Sequence, residues 1–298
     1  MTVNNFDHVS QLKLKVSQNS KGKTVISQKY FTSPFKIMNP FERKDGGITV
    51  YQQTASAGIL AGDTQEHSLY IEENATLELV SQSFEKIFKM EDGGKAWRTI
   101  TAEVASGATL IYTPLPCMPF AGSDFSSNTK ILLQDNSSRL IYVDTLCGGR
   151  KEHGELFDYR KYRNLIEIFK NSFSAGNTAK PELIYRDNTV FEGSDCGLYP
   201  DRKKILQSPA MYGNYSHLGT MLIFGFLSKE GKNLRPSDLF ECLNLPEKLL
   251  YTAENLELQQ GEALISITQT AGNGIAVRVL ANYAEEVQEI FNKVKKEL

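Results

Sequence analysis

Three stretches of the sequence repeat one pattern and decide the fold: residues 68–80 (SLYIEENATLELV), 101–113 (TAEVASGATLIYT) and 130–142 (KILLQDNSSRLIY). Each consists of a short strand-like segment, a polar turn, a small residue and a second strand-like segment. The matched small residues are Ala75, Ala108 and Ser138, which lie 33 and then 30 positions apart. A repeat of this length is typical of stacked coils that bury their faces against neighbouring coils.

Alternating apolar and polar residues extend this pattern toward the N-terminus. Leu12, Leu14 and Val16 alternate with polar residues, and residues 24–30 and 49–53 alternate in the same way. We therefore predict a mainly β protein, built as a solenoid-like (β-helical) coil of many short strands. The alternative is a β-sandwich in which the three repeats are ordinary hairpins.

Two helices and a hairpin are predicted in the C-terminal third. Residues 235–238 (RPSD) are typical of a helix start, and residues 263–270 and 275–280 alternate around a Gly-Asn-Gly turn. The last segment carries one apolar stripe of a helix: Ala284, Val287, Ile290, Phe291 and Val294. Since no linker rich in Pro, Ser or Gly requires a division, we predict a single domain over residues 1–298.

Composition limits the classes of function. The chain has 298 residues, 41% of them hydrophobic, and a net charge of -2, which disfavours a nucleic-acid or anionic-membrane partner. No stretch approaches the ~20 apolar residues of a bilayer-spanning helix, and the N-terminus shows no signal-peptide pattern. We therefore expect a cytoplasmic protein.

The residues that usually carry chemistry are dispersed. The four cysteines and four histidines form no CxxC, HxH or HxxxH pair, which excludes the usual zinc spacings. No GxSxG, P-loop, HExxH or GxGxxG signature occurs. The sequence therefore predicts neither an enzyme nor a tightly bound cofactor.

Two segments place acidic residues in unusual surroundings. Residues 56–63 (SAGILAGD) end in Asp63, whose ordinary role would be to cap a turn. Residues 81–90 (SQSFEKIFKM) set Glu85 and Lys86 among aromatic and aliphatic residues. The ordinary explanation for that pair is an edge strand whose charges face water.

A third segment combines an acid, two glycines and an arginine. Residues 144–150 (DTLCGGR) contain Asp144 and Arg150, and residues 154–157 (GELF) contain Glu155. The guanidinium can bind a carboxylate through two hydrogen bonds. An ion pair of Arg150 with Asp144 or with Glu155 is the structural alternative to a functional role.

Together these segments resemble the UreD/UreH family of urease accessory proteins. The matching segments are 33–36 (SPFK), 39–41 (NPF), 58–63 (GILAGD), 86–88 (KIF), 114–120 (PLPCMPF), 144–150 and 154–157. The strand at 274–280 and the final helix agree in placement, and SQSFEKI is especially similar to the UreH branch. Ala61 stands where a glycine is common, and Tyr185 where some members carry an acid.

The resemblance implies a β-rich coiled fold and a non-catalytic role in urease maturation. Its implied partners are a UreF-like protein, a UreG-like GTPase and apo-urease, in a higher-order (dimeric) heterocomplex. That assembly supports lysine carbamylation and nickel insertion. The resemblance also implies transient nickel, carried through an internal hydrated passage.

The candidate metal-contacting residues are Asp63, Glu85, Asp144 and Glu155, with Lys86 and Arg150 as structural counter-charges. Weak oxygen ligands suit a cation in transit, whereas clusters of imidazole or thiolate would trap it. Buried carboxylates are unfavourable unless they are hydrated, paired or metal-bound. The competing function is a β-solenoid carbohydrate-active enzyme that uses paired carboxylates, and a third is a plain structural or adhesive β-protein.

Overall fold

The computed structural model describes residues 9–91, 93–173, 179–192, 202–228, 230–243 and 263–298. The strands in the first half are β1 (Ser10–Gln18), β2 (Thr24–Phe31), β3 (Phe35–Ile37), β4 (Phe41–Glu42), β5 (Ile48–Thr54), β6 (Thr64–Ile71), β7 (Thr76–Ser81), β8 (Glu85–Ile87), β9 (Ala96–Val104), β10 (Thr109–Tyr112), β11 (Cys117–Pro119), β12 (Asp124–Leu133) and β13 (Arg139–Cys147). The remaining elements are β14 (Lys161–Phe173), β15 (Ala179–Glu192), α1 (Arg202–Leu206), β16 (His217–Phe224), α2 (Pro236–Leu243), β17 (Leu264–Gln269), β18 (Ile275–Ala281) and α3 (Ala284–Glu297).

The strands form two sheets that share a core. Sheet A has the order β15-β14-β12-β9-β6-β1-β2, and sheet B has the order β17-β18-β16-β13-β10-β7-β5-β3, with β4 beside β5 and with β11 and β8 beyond β13. From β6 to β13 the chain crosses repeatedly between the sheets, and successive strands within each sheet pair in parallel. This is the predicted β-solenoid. The hairpin alternative is wrong for the repeats, because hairpins would pair their strands antiparallel.

The three repeats stack as consecutive coils. Ser68 lies opposite Thr101, and Thr101 lies opposite Lys130, so the first strands of the repeats are in register. The second strands align through Leu77, Leu110 and Leu140. The sequence repeat therefore corresponds to one coil of the solenoid.

Small residues are required where each coil turns from sheet A to sheet B. Ala75, Ala108 and Ser138 are at most 1% exposed, and each turn is closed by a backbone hydrogen bond from this residue to the residue three positions earlier. Asn74 and Gly107 have positive φ values of 58° and 68° in the stacked turns. A Cβ on Gly107 would lie 2.3 Å from Asn74 Oδ1, so glycine is favoured there by both conformation and space.

Apolar residues from both sheets fill most of the solenoid interior. The central cluster includes Leu12, Leu14, Val50, Leu69, Leu77, Leu79, Leu110, Ile131, Leu140 and Ile168, all nearly inaccessible. Their alternation with outward-facing residues is the period-2 pattern of strands that bury one face.

The C-terminal elements cover the outer face of sheet B. Both helices predicted in this region are present, as α2 and α3, and β17 and β18 form the predicted antiparallel hairpin. The additional helix α1 was not predicted. All five residues of the α3 stripe are buried.

Helix α3 approaches the sheet closely at Gly219 of β16. A Cβ there would lie 2.3 Å from Val287 Cγ1 and 2.8 Å from Phe291 Cζ. Near the end of the helix, Lys295 Nζ donates to Glu78 Oε1 of β7 at 2.8 Å. These contacts join the last helix to the outer face of the solenoid.

Phe291→Ala should lower the free energy of unfolding by about 3 kcal/mol, because it removes a ring that is 4% exposed from the α3–sheet interface. Chemical denaturation measures the change. Asn292→Ala, at an exposed position of the same helix, is the matched control and should change stability by less than about 0.5 kcal/mol. Equal stabilities for the two variants would show that the stripe does not contribute to the core.

Candidate functional site

The inward face of sheet A becomes polar near the start of its strands. Gln65, Arg98, Ser127 and Asn164 occupy matched positions on β6, β9, β12 and β14. We call these four residues the polar row. Gln65, Ser127 and Asn164 are at most 7% exposed, and the Arg98 side chain is 10% exposed. The polar row therefore crosses four strands inside the solenoid.

Arg98 is the permanent charge of the polar row. Its guanidinium forms two hydrogen bonds with the Glu85 carboxylate of β8. Its Nε and Nη2 donate to Gln65 Oε1 at 3.1 and 2.6 Å, and the group lies 5.4 Å from the centroid of the Phe125 ring. Burial disfavours this charge, but the Glu85 carboxylate outweighs that effect and raises the pKa of Arg98.

Asp144 is the carboxylate that faces the polar row from β13. Its Oδ2 accepts a hydrogen bond from Asn164 Nδ2 at 2.9 Å, and the residue keeps some accessible surface. Burial raises the pKa of Asp144 to about 6; Asn164 and Arg98 oppose the rise, while the charges of Glu85 and Asp187 contribute to it. Its environment therefore leaves the negative charge incompletely compensated.

A buried histidine adjoins the start of the polar row. His67 is 2% exposed, and within the described residues neither ring nitrogen has a hydrogen-bond partner. The ring packs edge-on against Phe35 with centroids 4.9 Å apart. Burial, together with the charge of Arg98, holds the pKa of His67 well below its ordinary value, so the imidazole is neutral.

A small cavity of about 50 Å³ opens beside these groups. His67, Gln65, Glu85 and Arg98 line it together with Tyr112 and residues of the 81–86 segment. A larger groove of about 450 Å³ lies outside the solenoid beside α3, and its carboxylate, Glu78, is already bound by lysine, arginine and threonine. We therefore place the candidate site at the interior cavity.

A second ion pair lies on the side of Asp144 that is away from the Glu85–Arg98 pair. Arg278 of β18 donates through Nη2 to Asp187 Oδ2 of β15 at 2.8 Å, and the Tyr185 hydroxyl lies 3.4 Å from both groups. Thr220 of β16 pairs with Asp144 on one side and with Arg278 on the other. Asp144 thus lies between the Glu85–Arg98 pair and the Asp187–Arg278 pair.

Asp63 lies in a turn and Lys86 lies at the surface. Asp63 Oδ2 accepts a hydrogen bond from the Leu60 backbone N–H at 2.8 Å, which is the turn-capping contact considered from the sequence. Lys86 is exposed on β8, and Arg98 rather than Lys86 forms the ion pair with Glu85.

Glu155 and Arg150 form one of the ion pairs considered from the sequence. Arg150 Nε donates to Glu155 Oε2 at 2.8 Å, and the guanidinium lies 4.1 Å from the centroid of the Phe120 ring. The hydrogen bond from Arg150 is the main cause that lowers the pKa of Glu155. Glu155 Oε2 also accepts from the Ala121 N–H at 3.3 Å, so this pair ties together two loops.

The sequence motifs did not identify Arg98, His67, Asn164 or Asp187 as site residues. For Arg98 a signal existed, because it shares the inward parity of Ala96 and Ile100 within β9. An arginine at an inward position of a strand requires a buried partner. Nothing local identified that partner as Glu85.

The buried thiols are poor metal ligands in this environment. Burial raises the pKa of Cys147 to about 12 and holds that of Cys117 well above its ordinary value. In the described part of the chain, no group of three or more His, Cys, Asp or Glu residues is placed to hold a metal ion. Among the described helices, none has the length and apolar character needed to cross a membrane.

The fold and this interior define the class of protein: a β-solenoid whose core contains the polar row, a buried ion pair and, among the described residues, one carboxylate without an ion-pair partner. The family model described as UreD urease accessory protein matches residues 8–298. The chain therefore belongs to the UreD family of urease accessory proteins.

Individual relatives agree with this assignment. The chain is 29% identical over 286 residues to the urease accessory protein UreH of Helicobacter hepaticus, with 96% of each chain covered. It is 29% identical over 293 residues to the urease accessory protein UreD of Acetivibrio thermocellus, with 98% of each covered. It is also 34% identical over 215 residues to a UreH of Helicobacter pylori, covering 72% of this chain and 74% of the relative.

Asp144→Asn should stabilise the protein at neutral pH. Because the folded-state pKa is raised to about 6, the wild-type chain loses stability as pH rises from the ordinary aspartate pKa through about 6. The raised pKa corresponds to a loss of at most about 3 kcal/mol in the free energy of unfolding at neutral pH. The Asn side chain does not ionise and therefore avoids this loss. Denaturation curves should therefore separate the two proteins at about pH 7.5 and coincide at about pH 4.

Glu155→Gln is the control, because its effect on stability at neutral pH should be opposite to that of Asp144→Asn. The pKa of Glu155 is lowered, so its carboxylate contributes stability above its ordinary pKa and loses that contribution in acid. This variant should therefore be less stable than wild type at neutral pH and equal to it in acid. A destabilised Asp144→Asn at neutral pH would mean that the Asp144 carboxylate is well compensated.

Proposed function

We propose that this chain is a non-catalytic scaffold that conducts nickel toward apo-urease through the polar interior of its solenoid. The observation that carries the proposal is the polar row with the charged residues beside it, which we call the polar layer: Gln65, Arg98, Ser127, Asn164, Glu85 and Asp144. Asp144 and the Glu85–Arg98 pair lie beside the polar row inside the solenoid, and the more exposed Asp187–Arg278 pair lies beyond Asp144, whereas most of the remaining interior is apolar.

The chemistry of the layer suits a cation in transit. Gln65, Ser127, Asn164 and Asp144 offer amide, hydroxyl and carboxylate oxygens, which are hard ligands that bind divalent ions weakly when few are present. The nearby thiols are kept protonated by burial. Nickel would therefore be a passing cargo of this protein.

Orphaned polar atoms support a hydrated interior. Asn164 Oδ1 and both ring nitrogens of His67 are buried and have no hydrogen-bond partner within the described residues. Buried polar groups ordinarily have a partner, and ordered water commonly supplies it. A layer that accepts water can also exchange water for a hydrated cation.

Within this proposal, the predicted carboxylates have different roles. Glu85 and Asp144 contact the passing ion, and Asp187 extends the route beyond Asp144. Asp63 and Glu155 hold a turn and an ion pair beside the route. Lys86 stays at the surface, so Arg98 takes the role of counter-charge that was predicted for Lys86.

The proposal also includes the proteins with which this chain assembles. Family membership implies that the chain acts with other urease maturation factors, and we propose a UreF-like protein, a UreG-like GTPase and apo-urease, in a dimeric cytoplasmic heterocomplex. Exposed aromatic side chains on several strands support a partner-bound state, because such residues are favoured in interfaces. They include Tyr30, Phe41, Tyr70 and Trp97.

A carbohydrate-active enzyme is disfavoured by the way the carboxylates are held. Glycoside hydrolysis needs two carboxyl groups, one of which carries a proton for the leaving group. Asp144 has the raised pKa of such an acid, but the two other carboxylates near it, Glu85 and Asp187, are each bound by an arginine. Assays of the purified chain on polysaccharides, beside pull-down with urease accessory proteins, separate the two functions.

Co-expression with a UreF-like protein should increase the soluble yield of this chain. Exposed aromatic residues and unpaired strand edges favour aggregation when no partner covers them. Gel filtration of the chain expressed alone and with the partner measures the effect. A monodisperse chain that does not bind the UreF-like protein would contradict the proposed assembly.

Asp144→Asn should reduce nickel delivery without disrupting the complex. The change preserves side-chain size and removes the charge that attracts a cation, so we expect a roughly tenfold slower nickel loading of apo-urease. Complex formation by gel filtration and nickel content by elemental analysis are measured together. Asp45→Asn, at a surface turn, is the matched control.

Two further outcomes are informative. Full nickel loading through the Asp144→Asn chain would refute the role of this residue in the route, and loss of the complex would assign it a structural role. Asp63→Asn, measured in parallel, decides whether the turn carboxylate also contacts the ion.

A further inference from the structure

We propose that the N-terminal end of the solenoid is a docking surface for an extended acidic segment of another protein, which adds to sheet A beside β2. We call this surface, formed by β1 to β4 and the turns between residues 10 and 47, the basic end. An edge strand lies there among lysines that have no ion-pair partner within the described residues. The basic end is built from other strands than the polar row, so the docking does not depend on the proposed nickel passage.

The basic end differs in charge from the rest of the chain. Residues 10–47 contain eight basic residues and two acidic ones, whereas the whole chain has a net charge of -2. A local excess of one sign attracts and orients a partner of the opposite charge. The charge of the basic end therefore favours an acidic partner.

Most of these positive charges are not compensated by carboxylates of the described chain. Three of the basic residues form ion pairs, as in the 2.6 Å contact between Lys15 and Glu72. The other five are exposed and have no ion-pair partner in the part of the chain that the structure describes: Lys13, Lys21, Lys29, Lys36 and Lys44. Their ammonium groups are accessible to carboxylates of another protein.

Contacts between turns bring lysines from both sheets to one end of the solenoid. The β1–β2 turn, which carries Lys21, meets the β4–β5 turn, which carries Lys44, because the Thr24 N–H donates to Gly46 O at 2.9 Å. Lys36 lies on β3, the last strand of sheet B at this end. The five lysines thus belong to one surface although they come from four separate segments.

β2 supplies the edge to which a strand can add. It is the last strand of sheet A, and no described strand other than β1 pairs with it. Beside this edge Tyr30 is 52% exposed, Val25 38% and Phe31 37%. Lys29 lies on the same strand, and Lys13 of β1 lies opposite Tyr30 with its ammonium 5.8 Å from the ring centroid. The edge therefore offers backbone groups, apolar side chains and positive charge together.

Two structural roles explain part of this surface. Polar terminal coils keep a solenoid soluble, and lysine near an edge strand hinders pairing with other chains. Neither role requires the charges to have one sign, because acidic side chains would serve as well. Lysines that repel a basic strand attract an acidic one, so the excess of one sign indicates a selective edge.

The same features decide against two other occupants. Two copies of this chain joined here would bring two lysine-rich surfaces together, which is unfavourable. A nucleic acid would use the charge but not the strand edge or the exposed side chains of Val25 and Phe31. An extended segment that alternates acidic and apolar residues would use all three, because alternate side chains of an added strand point to opposite faces.

The test titrates the full-length chain with a fluorescein-labelled peptide of alternating Glu and Val that has the length of β2, 8 residues. Fluorescence anisotropy measures the dissociation constant. Binding should weaken as salt rises, because exposed charges are screened. A peptide of alternating Gln and Val should bind about tenfold more weakly. Equal affinity for the two peptides would overturn the proposal.

Two double variants locate the binding site. Lys13→Gln/Lys29→Gln removes two exposed charges from the basic end and should weaken binding of the acidic peptide by about tenfold. Lys130→Gln/Lys232→Gln removes two exposed charges elsewhere and should bind like wild type. Thermal melts check that both variants are folded. The same affinity for both would show that the peptide does not dock at the basic end.

N-methylated peptides separate strand addition from attraction by charge alone. Methylation of alternate residues removes the backbone donors along one edge of the peptide and leaves its side chains unchanged. Of the two peptides methylated at odd or at even positions, at least one should bind about tenfold more weakly. Unchanged affinity for both would refute strand addition, and tighter binding of a single-stranded oligonucleotide of equal charge would identify a nucleic-acid surface instead.

Discussion

Parallel ladders pair β6 with β9, β9 with β12 and β12 with β14 without a slip in register. A side chain that faces inward in one coil therefore lies against its counterpart in the next coil. A shift by a single residue would turn every inward side chain outward. The apolar core and the polar row both depend on this register, since each is a row of matched positions across the same strands.

Apolar and polar residues occupy different positions along the strands of the interior. Rows such as Leu69, Ala102, Ile131 and Ile168 are apolar in every coil and supply the burial that stabilises the fold. The polar row lies four positions away on the same strands and carries groups that burial disfavours. Arginine partners compensate Glu85 and Asp187 near the row, whereas Asp144, which faces it, has a raised pKa, which is typical of a functional group.

The two outer faces differ in a way that bears on assembly. The outer face of sheet B is apolar and is covered by α2, α3 and the β17–β18 hairpin, with Gly219 allowing the close approach of α3. The outer face of sheet A carries exposed polar and aromatic residues, including Tyr70 and Trp97. The described residues thus close the outer face of sheet B and leave side chains on the outer face of sheet A exposed.

The sequence by itself determined the coil repeat, the inward alternation, the C-terminal hairpin and helices, and the family, because each depends on local spacing or on short motifs. It also supplied Glu85 and Asp144 as candidates. The tertiary structure alone decided their surroundings: Glu85 binds Arg98 of another strand, and Asp187 binds Arg278, 91 positions away. Strand periodicity tells which face a residue occupies, but its neighbours across the coils depend on turn lengths and sheet order, which no local pattern encodes.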